Sequence, residues 1–308
     1  MIFVVGDDEG GERLDVFLSR KIAGTTRSRV QTLNRTGRIR VGGTVSKGGR
    51  RLRPGDTVEV ELPPPDPTGL SAEPIPIDVI YEDEHLAVVD KPAGMVVHPG
   101  AGNRRGTLVN ALLARYRNLA GETAGDRPGI VHRLDKLTSG LVLVARTNAA
   151  HHGLSAAFSG RRVEKTYRVL VHGRPRDAEG EIALPIGRHP RVRTRMTVSS
   201  ERGRPAVSRY RVLETAPHFS LLDVWIRTGR THQIRVHLSA IGHPVVGDPV
   251  YGEKLHGAFV RRHGEPGRYF LHARRLGLAH PVTAEPLVFE SPLPVELERL
   301  WERLAGAR

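Results

Sequence analysis

The stretch VHRLDKLTSGLVLVA, residues 131–145, places one carboxylate, Asp135, between two cations, Arg133 and Lys136. A Thr-Ser-Gly turn follows, and then five apolar residues without interruption, beginning at Leu141. A short apolar run that begins at a turn is typical of a buried strand. The sequence therefore predicts a strand from Leu141 onward, with Asp135 presented on a polar turn at its entrance.

The residues around Asp135 leave two interpretations open. The carboxylate can be the structural half of an ion pair, which is the commoner role for an Asp, or a nucleophile that neighbouring positive charge keeps ionised. Three local features favour a functional role: a polar turn on a rigid scaffold, Gly140 for a tight backbone, and hydroxyls from Thr138 and Ser139 for local backbone hydrogen bonds. They make Asp135 a candidate without deciding between the two roles.

Charge is the strongest global feature of this 308-residue chain. Its 47 Lys and Arg against 33 Asp and Glu give a net charge of +14 and a pI near 10.8. Such an imbalance favours a polyanionic partner, usually nucleic acid, over a merely solvated surface. Residues 27–53 contain nine cations and no acid, and we expect these side chains to bind a nucleic acid. They are Arg27, Arg29, Arg35, Arg38, Arg40, Lys47, Arg50, Arg51 and Arg53.

Several classes of chemistry are excluded by what the sequence lacks. Without cysteine there is no disulfide, thiol nucleophile or Cys-ligated zinc. No Walker loop and no H-E-x-x-H motif occur, and Ser139 lacks the first Gly of G-x-S-x-G. The N-terminus has no secretory signal and no apolar run approaches 18 residues, so we expect a cytoplasmic protein without membrane association.

The chain is predicted to contain two domains. Residues 1–62, with a core at 12–62, have a helix at apolar spacing, a second helix capped by Ser28, and short strands separated by Gly turns. A Pro-rich linker, 63–76, is too rich in proline for a helix or a central strand. Residues 77–308 form the main domain.

The main domain alternates strands and helices without a strict βαβ rhythm. A hairpin is expected near 77–90, and helices are expected after Thr107, over 148–159 and from an N-cap at Thr231. A final helix over residues 294–305 buries a leucine stripe. This order favours an α+β fold with a mixed or antiparallel sheet.

Five motifs in one order carry a family resemblance. VHRLDKLTSGLVLVA resembles the signature of the RluA family of pseudouridine synthases, and residues 12–62 resemble the small RNA-binding module of ribosomal small-subunit protein four. One position departs from the signature, because Leu137 stands where a polar residue is common. The other four motifs are KPAGMVVHPGAGN (91–103), EKTYRVLVHG (164–173), GRTHQIRVHLSAIGHPVVGDPVYG (229–252) and LHARRL (271–276).

The resemblance implies an RNA pseudouridine synthase of the RluD type, with an RNA-binding module before a catalytic domain. Its expected substrate is large-subunit (23S) ribosomal RNA or a pre-ribosomal particle, and its reaction needs neither cofactor nor metal. The sequence leaves the oligomeric state open, with a monomer as the default expectation. Two alternatives stay open from the sequence: a catalytically inactive RNA-binding factor for ribosome assembly, and a hydrolase that releases the base.

Residue roles follow from the same resemblance. Asp135 would be the nucleophile, Arg235 would pair with it, and Tyr167 would stack on the target base and help remove its C5 proton. Arg133 would fill the space that a flipped-out uridine leaves. Two further residues, His132 and Thr138, would shape the loop.

Overall fold

The computed structural model divides into two compact units, Met1–Gly69 and Leu70–Arg308. The predicted limits of the linker, 63–76, stay a prediction, because part of that segment lies outside the described residues. The structure describes residues 1–22, 25, 27–46, 49–62, 70–100, 103–116, 119–120, 127–192, 194–199, 201 and 203–306, with only the backbone of 27–29.

The first unit packs two helices on a small antiparallel sheet, as the sequence predicted. The sheet orders its strands as Ile2–Val4, Thr57–Val60, Ile39–Val41 and Thr44–Val45. The core of the unit buries Phe17, Leu18, Ile39 and Val58 completely. The second helix begins at Arg27, so the prediction that Ser28 occupies the N-cap is wrong. The elements are β1 (Ile2–Val4), a 3-10 turn (Asp7–Glu9), α1 (Leu14–Lys21), α2 (Arg27–Arg35), β2 (Ile39–Val41), β3 (Thr44–Val45) and β4 (Thr57–Val60).

The second unit is built on one mixed sheet, which confirms the α+β prediction. The elements are β5 (Asp78–Glu82), β6 (Leu86–Lys91), α3 (Leu108–Arg115), β7 (Ser139–Ala145), α4 (Asn148–Ser159), β8 (Glu164–His172), β9 (Glu179–Ile182), β10 (Ile186–Arg188), β11 (Met196–Val198), β12 (Ser208–Ala216), β13 (Phe219–Ile226), α5 (Gln233–Ala240), α6 (Glu253–His263), β14 (Leu271–Ala279), β15 (Pro286–Glu290) and α7 (Val295–Gly306). The strand order of the sheet is β5-β6-β7-β14-β8-β13-β12-β9, with β15 paired to β14. Strands β10 and β11 form a separate hairpin.

Strand β7 explains the apolar run of the opening stretch. Every residue of Ser139–Ala145 is buried, because the strand lies between β6 and β14 with apolar clusters on both faces. Its pairing with β14 is parallel, whereas β6 on the other side is antiparallel. A strand covered on both faces loses the alternation of polar and apolar residues, which is why the sequence showed a continuous run.

The start of α3 follows the predicted cap, and the start of α4 has a threonine cap that the sequence analysis did not assign. Thr107 accepts a hydrogen bond from the backbone N–H of Asn110, and Thr147 does the same for Ala150 at the start of α4. The start of α5 differs from its prediction. His232, and not Thr231, holds the N-cap position, with φ +56° and no side-chain cap.

Candidate active site

The loop that carries Asp135 rests on a fully buried lysine. Lys91 donates hydrogen bonds from Nζ to the carbonyl oxygens of Pro92 (2.8 Å), Met95 (2.9 Å) and Lys136 (3.4 Å). Burial lowers the pKa of Lys91 to about 7, while three carbonyl acceptors match the three donors of an ammonium. Lys91 therefore joins the end of β6 to the residue that follows Asp135. The sequence analysis assigned it no role, although its place at the end of an apolar strand was visible.

Gly140 brings β7 against β14 more closely than any side chain allows. It has φ +110°, and a Cβ atom at this position would lie 2.3 Å from the carbonyl oxygen of Ala273. The tight backbone that Gly140 was predicted to permit is thus a close approach of two strands. This approach fixes the exit of the loop of Asp135.

The hydroxyls of the turn bond to distant side chains and not to the local backbone, contrary to our expectation. The Thr138 hydroxyl lies 3.2 Å from the Tyr269 hydroxyl. The Ser139 hydroxyl lies 2.9 Å from His272 Nδ1 and accepts a hydrogen bond from Arg268 Nη2 at 2.8 Å. Because Tyr269, His272 and Arg268 lie in or next to β14, these bonds tie the turn to that strand.

Arg235 contacts Asp135, as expected, but its principal partner is a residue that the sequence analysis missed. Arg235 Nη1 lies 3.4 Å from Asp135 Oδ2. Its Nε and Nη2 form a two-pronged pair with the fully buried Asp248, at 2.7 and 2.9 Å. The rings of Tyr251 and Tyr269 lie 4.9 and 4.3 Å from the guanidinium carbon. The only sequence signal for Asp248 was its place in the GDPVYG end of the fourth motif.

Charge and hydrogen bonding keep Arg235 ionised. Burial by itself would lower its pKa, but the hydrogen bonds and negative charge of Asp248 outweigh burial, and the pKa of Arg235 is raised. Arg235 lies in the first turn of α5, which the αL conformation of His232 starts. His232 Nε2 is 3.9 Å from Asp135 Oδ2, and its Nδ1 is 2.7 Å from the Tyr251 hydroxyl.

Tyr167 lies on β8 and is 7% exposed. Burial raises its pKa, and the charge of Asp135 raises it further. Within the part of the chain that the structure describes, its hydroxyl has no hydrogen-bond partner, unlike the Tyr269 hydroxyl. An aromatic ring with an unpaired hydroxyl beside a carboxylate is suited to contact a base.

His132 and Arg133 are placed differently. His132 Nε2 accepts a hydrogen bond from the backbone N–H of Leu143 at 2.8 Å, and its ring stacks on Phe158 with centroids 4.7 Å apart. Burial lowers its pKa to about 3, so the ring is neutral at physiological pH. The side chain of Arg133 is exposed instead.

One cavity of about 430 Å³ brings the predicted catalytic residues together. Asp135, Tyr167 and Arg235 all line it, and so do His132, Arg133 and Thr138. Its size lies in the range of small-ligand sites, about 300–1,000 Å³. Among the described residues no group of three or more His, Cys, Asp or Glu is arranged to hold a metal ion.

The cations predicted to bind RNA divide into paired and unpaired ones. Arg38 pairs with Glu61 at 2.8 Å and Arg50 with Asp56 at 3.3 Å, so the absence of acids within 27–53 did not mean an absence of ion pairs. The others have no carboxylate within 4 Å where the structure describes them; they are Arg35, Arg40, Arg51 and Arg53. The side chains of Arg27, Arg29 and Lys47 lie outside the described residues.

No helix in the described part of the chain is long and apolar enough to cross a membrane.

Comparison with known proteins relates both units to characterised families. A profile described as "RNA pseudouridylate synthase" matches residues 85–240, and an S4 domain profile matches residues 12–58. An "Uncharacterized RNA pseudouridine synthase" of Chloroflexus aurantiacus is 48% identical over 305 residues, covering 98% of this chain and 93% of the relative. A "Ribosomal large subunit pseudouridine synthase D" of Zymomonas mobilis is 41% identical, covering 96% of this chain and 94% of the relative.

Solved structures agree with this assignment. The human "RNA Pseudouridylate Synthase Domain Containing 1" has 28% identity and a TM-score of 0.58, covering 77% of this chain and 97% of its own. The family profile and the near full-length relatives together show that this chain belongs to the RNA pseudouridylate synthase family, as an isomerase with an S4 RNA-binding domain.

Proposed function

We propose that this protein converts uridines of large-subunit (23S) ribosomal RNA to pseudouridine, with Asp135 as the nucleophile. The observation that carries the proposal is the convergence of Asp135, Arg235 and Tyr167 on one cavity. The substrate class is supported by relatives whose names specify the ribosomal large subunit, at 41–43% identity.

The reaction exchanges one bond for another. The bond between C1′ and N1 of uridine breaks, C1′ bonds to C5, the proton on C5 leaves, and N1 gains a proton. Asp135 starts this exchange by attack on C1′ or C6, or by promoting a glycal route, and is released at the end. Because the base is recaptured, no atom is gained or lost.

Arg235 positions the nucleophile. Its guanidinium is held by Asp248 and by two tyrosine rings, so it presents Nη1 to Asp135 in a fixed direction. Neighbouring positive charge favours the ionised carboxylate that attack requires. Tyr167 offers its ring to the base and its free hydroxyl to the C5 proton.

Uridine in structured RNA is stacked and must be flipped out to reach a cavity of this kind. Arg133 is exposed beside Asp135 and enters the space that the base vacates. The unpaired cations of the S4 domain (Arg35, Arg40, Arg51 and Arg53) bind phosphates, which positions the RNA without reading its sequence. Both RNA contacts weaken as salt rises.

Pseudouridine mapping on unmodified 23S rRNA tests the proposal. The wild-type protein is expected to form pseudouridine at defined positions. Asp135→Asn is expected to abolish product and to keep RNA affinity, and the matched control Asp223→Asn, on the opposite face of the sheet, is expected to retain turnover. Residual turnover in Asp135→Asn refutes the nucleophile.

The same assay separates the alternatives. RNA binding without any product supports the inactive assembly factor, whereas free uracil and abasic sites support a base-releasing hydrolase. An intact site with Asp135, Arg235 and Tyr167 around one cavity favours catalysis over the inactive factor. The family match favours isomerisation over release of the base.

A further inference from the structure

A second cavity of about 820 Å³ adjoins the active-site cavity. Four lining residues are common to the two: Arg161, Lys165, Ile226 and Arg227. Three of these four are cations, and none is an acid. The junction between the cavities is therefore a positively charged rim next to the active site.

Lys165 is the least solvated cation at this junction. It is only 8% exposed, and its Nζ lies 5.4 Å from the centroid of the Phe158 ring. In the described ranges it has no carboxylate within 4 Å and no hydrogen-bond acceptor. Burial of an ammonium without a partner is unfavourable, and burial alone lowers the pKa of Lys165. Such a group is poised to receive an anion from the cavity.

The position of Lys165 relative to Tyr167 limits what that anion is. Both residues lie on β8, two positions apart, so their side chains share one face and are separated by about 6.6 Å along the strand. A base that stacks on Tyr167 therefore places its own sugar-phosphate backbone near the ammonium. The two arginines of the rim, Arg161 and Arg227, are exposed and have no ion pair among the described residues.

Arg161 is also held in a rare conformation. It has φ +58° directly after the end of α4, where glycine is the usual residue. A non-glycine residue in this region is strained, and such residues are enriched at functional sites.

The second cavity has the surface that a nucleotide needs. The partly exposed Trp225 lines it, and aromatic faces stack unpaired bases. Its acids are each engaged by an arginine and do not repel a phosphate as free charges. The pairs are Glu181 with Arg209 (2.6 Å), Glu179 with Arg211 (2.7 Å) and Glu164 with Arg275 (3.4 Å).

We propose that the junction is a phosphate site, at which Lys165 binds the backbone phosphate that joins the target uridine to its neighbour, while the neighbouring nucleotide occupies the second cavity. The inference rests on the proposed function, because it takes the base at Tyr167 as the target uridine. Arg161 and Arg227 contact the same phosphate or the next one. The site recognises RNA backbone and not base sequence.

Salt-dependent binding of fluorescein-labelled decauridylate to the full chain tests the site. Loss of one phosphate contact makes the plot of log affinity against log salt less steep by about 0.7 for single strands. We expect this change in Lys165→Met, with affinity lowered roughly 10- to 100-fold, the range for a hydrogen bond between charged groups. The matched control is Lys254→Met, an exposed lysine on α6 that lines neither cavity.

The outcomes are distinct. The phosphate site is overturned if the salt dependence of affinity in Lys165→Met is unchanged, or if Lys254→Met changes it equally. It is also overturned if Lys165→Met lowers the melting temperature and changes nothing in RNA binding. Pseudouridine formation by the wild-type protein is scored separately. If that reaction is absent while the slope changes, the proposed function fails and the phosphate site stands as an RNA contact. If the reaction is present and the slope is unchanged, only the inference fails.

NMR of the wild-type protein removes any dependence on the folding of a variant. The chain has six lysines, so ¹³Cε signals of labelled lysine are resolvable. The pKa of Lys165 is expected to rise when decauridylate binds, because a phosphate favours the ammonium. Lys254, which is exposed and lines neither cavity, is the internal reference, and its ¹³Cε signal should not change. A pKa of Lys165 that stays the same in saturated complex contradicts the proposal.

Discussion

The substitution Asp248→Asn tests how the active site is held together. Asp248 is fully buried, accepts two hydrogen bonds from Arg235, and also accepts from the backbone N–H groups of Val250 and Tyr251. Asn has nearly the same shape, so the loop of residues 248–251 can keep its turn. What is lost is the charge that compensates the buried guanidinium.

The expected cost comes from that uncompensated charge. Removing one partner of a buried ion pair costs about 3–5 kcal/mol. Asp135 remains as a second counterion at 3.4 Å, so we expect the lower end, about 3 kcal/mol in the free energy of unfolding. For a unit of this size, about 2–4 °C per kcal/mol lowers the melting temperature by roughly 6–12 °C.

Activity should fall as well, because Arg235 is then free to turn toward Asp135. A shift of about 1 Å in a catalytic group costs roughly 100-fold in rate, and we expect that loss in kcat with little change in KM. The assay is pseudouridine formation under saturating 23S rRNA at a temperature where the variant is folded, together with thermal melting.

Asp223→Asn is the matched control for stability. Asp223 also engages two arginines, Arg168 at 2.9 Å and Arg274 at 3.7 Å. It lies on the opposite face of the sheet from Val224, which pairs with Tyr167. It should lower the melting temperature without lowering kcat. Wild-type kcat in Asp248→Asn, or an equal loss of kcat in both variants, refutes the positioning role of Asp248.

Three further results are expected. Gly140→Ala should lower the free energy of unfolding by more than ~2 kcal/mol through strain and overpacking. The control Gly242→Ala, at φ +86° with no described atom within 4 Å of the added Cβ, should lower it by only about 1 kcal/mol. Equal losses in two-state denaturant melts would contradict the close approach of β7 and β14. Burial lowers the pKa of His98 to about 4, that of His132 to about 3 and that of His272 to about 4. Below pH 6.5 the unfolded state therefore binds more protons than the folded state, and the free energy of unfolding should fall from pH 6.5 to about 4 by up to ~1.4 kcal/mol per pH unit for each histidine. A melting temperature that does not change over this range argues against neutral buried rings. Tyr167→Phe should keep KM and lower kcat by about 10²–10⁴-fold if the hydroxyl takes the C5 proton, and a wild-type kcat would limit Tyr167 to stacking.

Much of the local structure was predictable because neighbours in sequence decide it. The predicted helix over 148–159 is confirmed as α4, because its ends are local features: Thr147 caps the first turn and Gly160 follows the last. The apolar run of β7 predicts a buried strand for the same local reason. The start of α5 was predicted wrongly, because His232 adopts a left-handed conformation that no local preference favours.

Leu137 shows where a pattern stops being informative. In the signature it departs from a common polar residue, and the sequence offered no reason. In the fold it is partly buried and packs against the main apolar cluster of the second unit. In this chain Leu137 therefore contributes apolar packing where the family signature commonly has a polar side chain. Only its neighbours in space show this contact.

The sequence by itself determined the family, the RNA partner class and the identity of Asp135, Tyr167 and Arg235 as candidates, because the motifs carry these residues at recognisable spacing. Tertiary structure alone decided their partners. Arg235 meets Asp135 across 100 residues of chain, and Lys91 meets Lys136 across 45. The packing of strands and loops buries Asp248 against Arg235 and, among the described residues, leaves Lys165 without a carboxylate within 4 Å. Charge in a sequence therefore predicts a polyanionic ligand, whereas only the fold shows which charges are already satisfied.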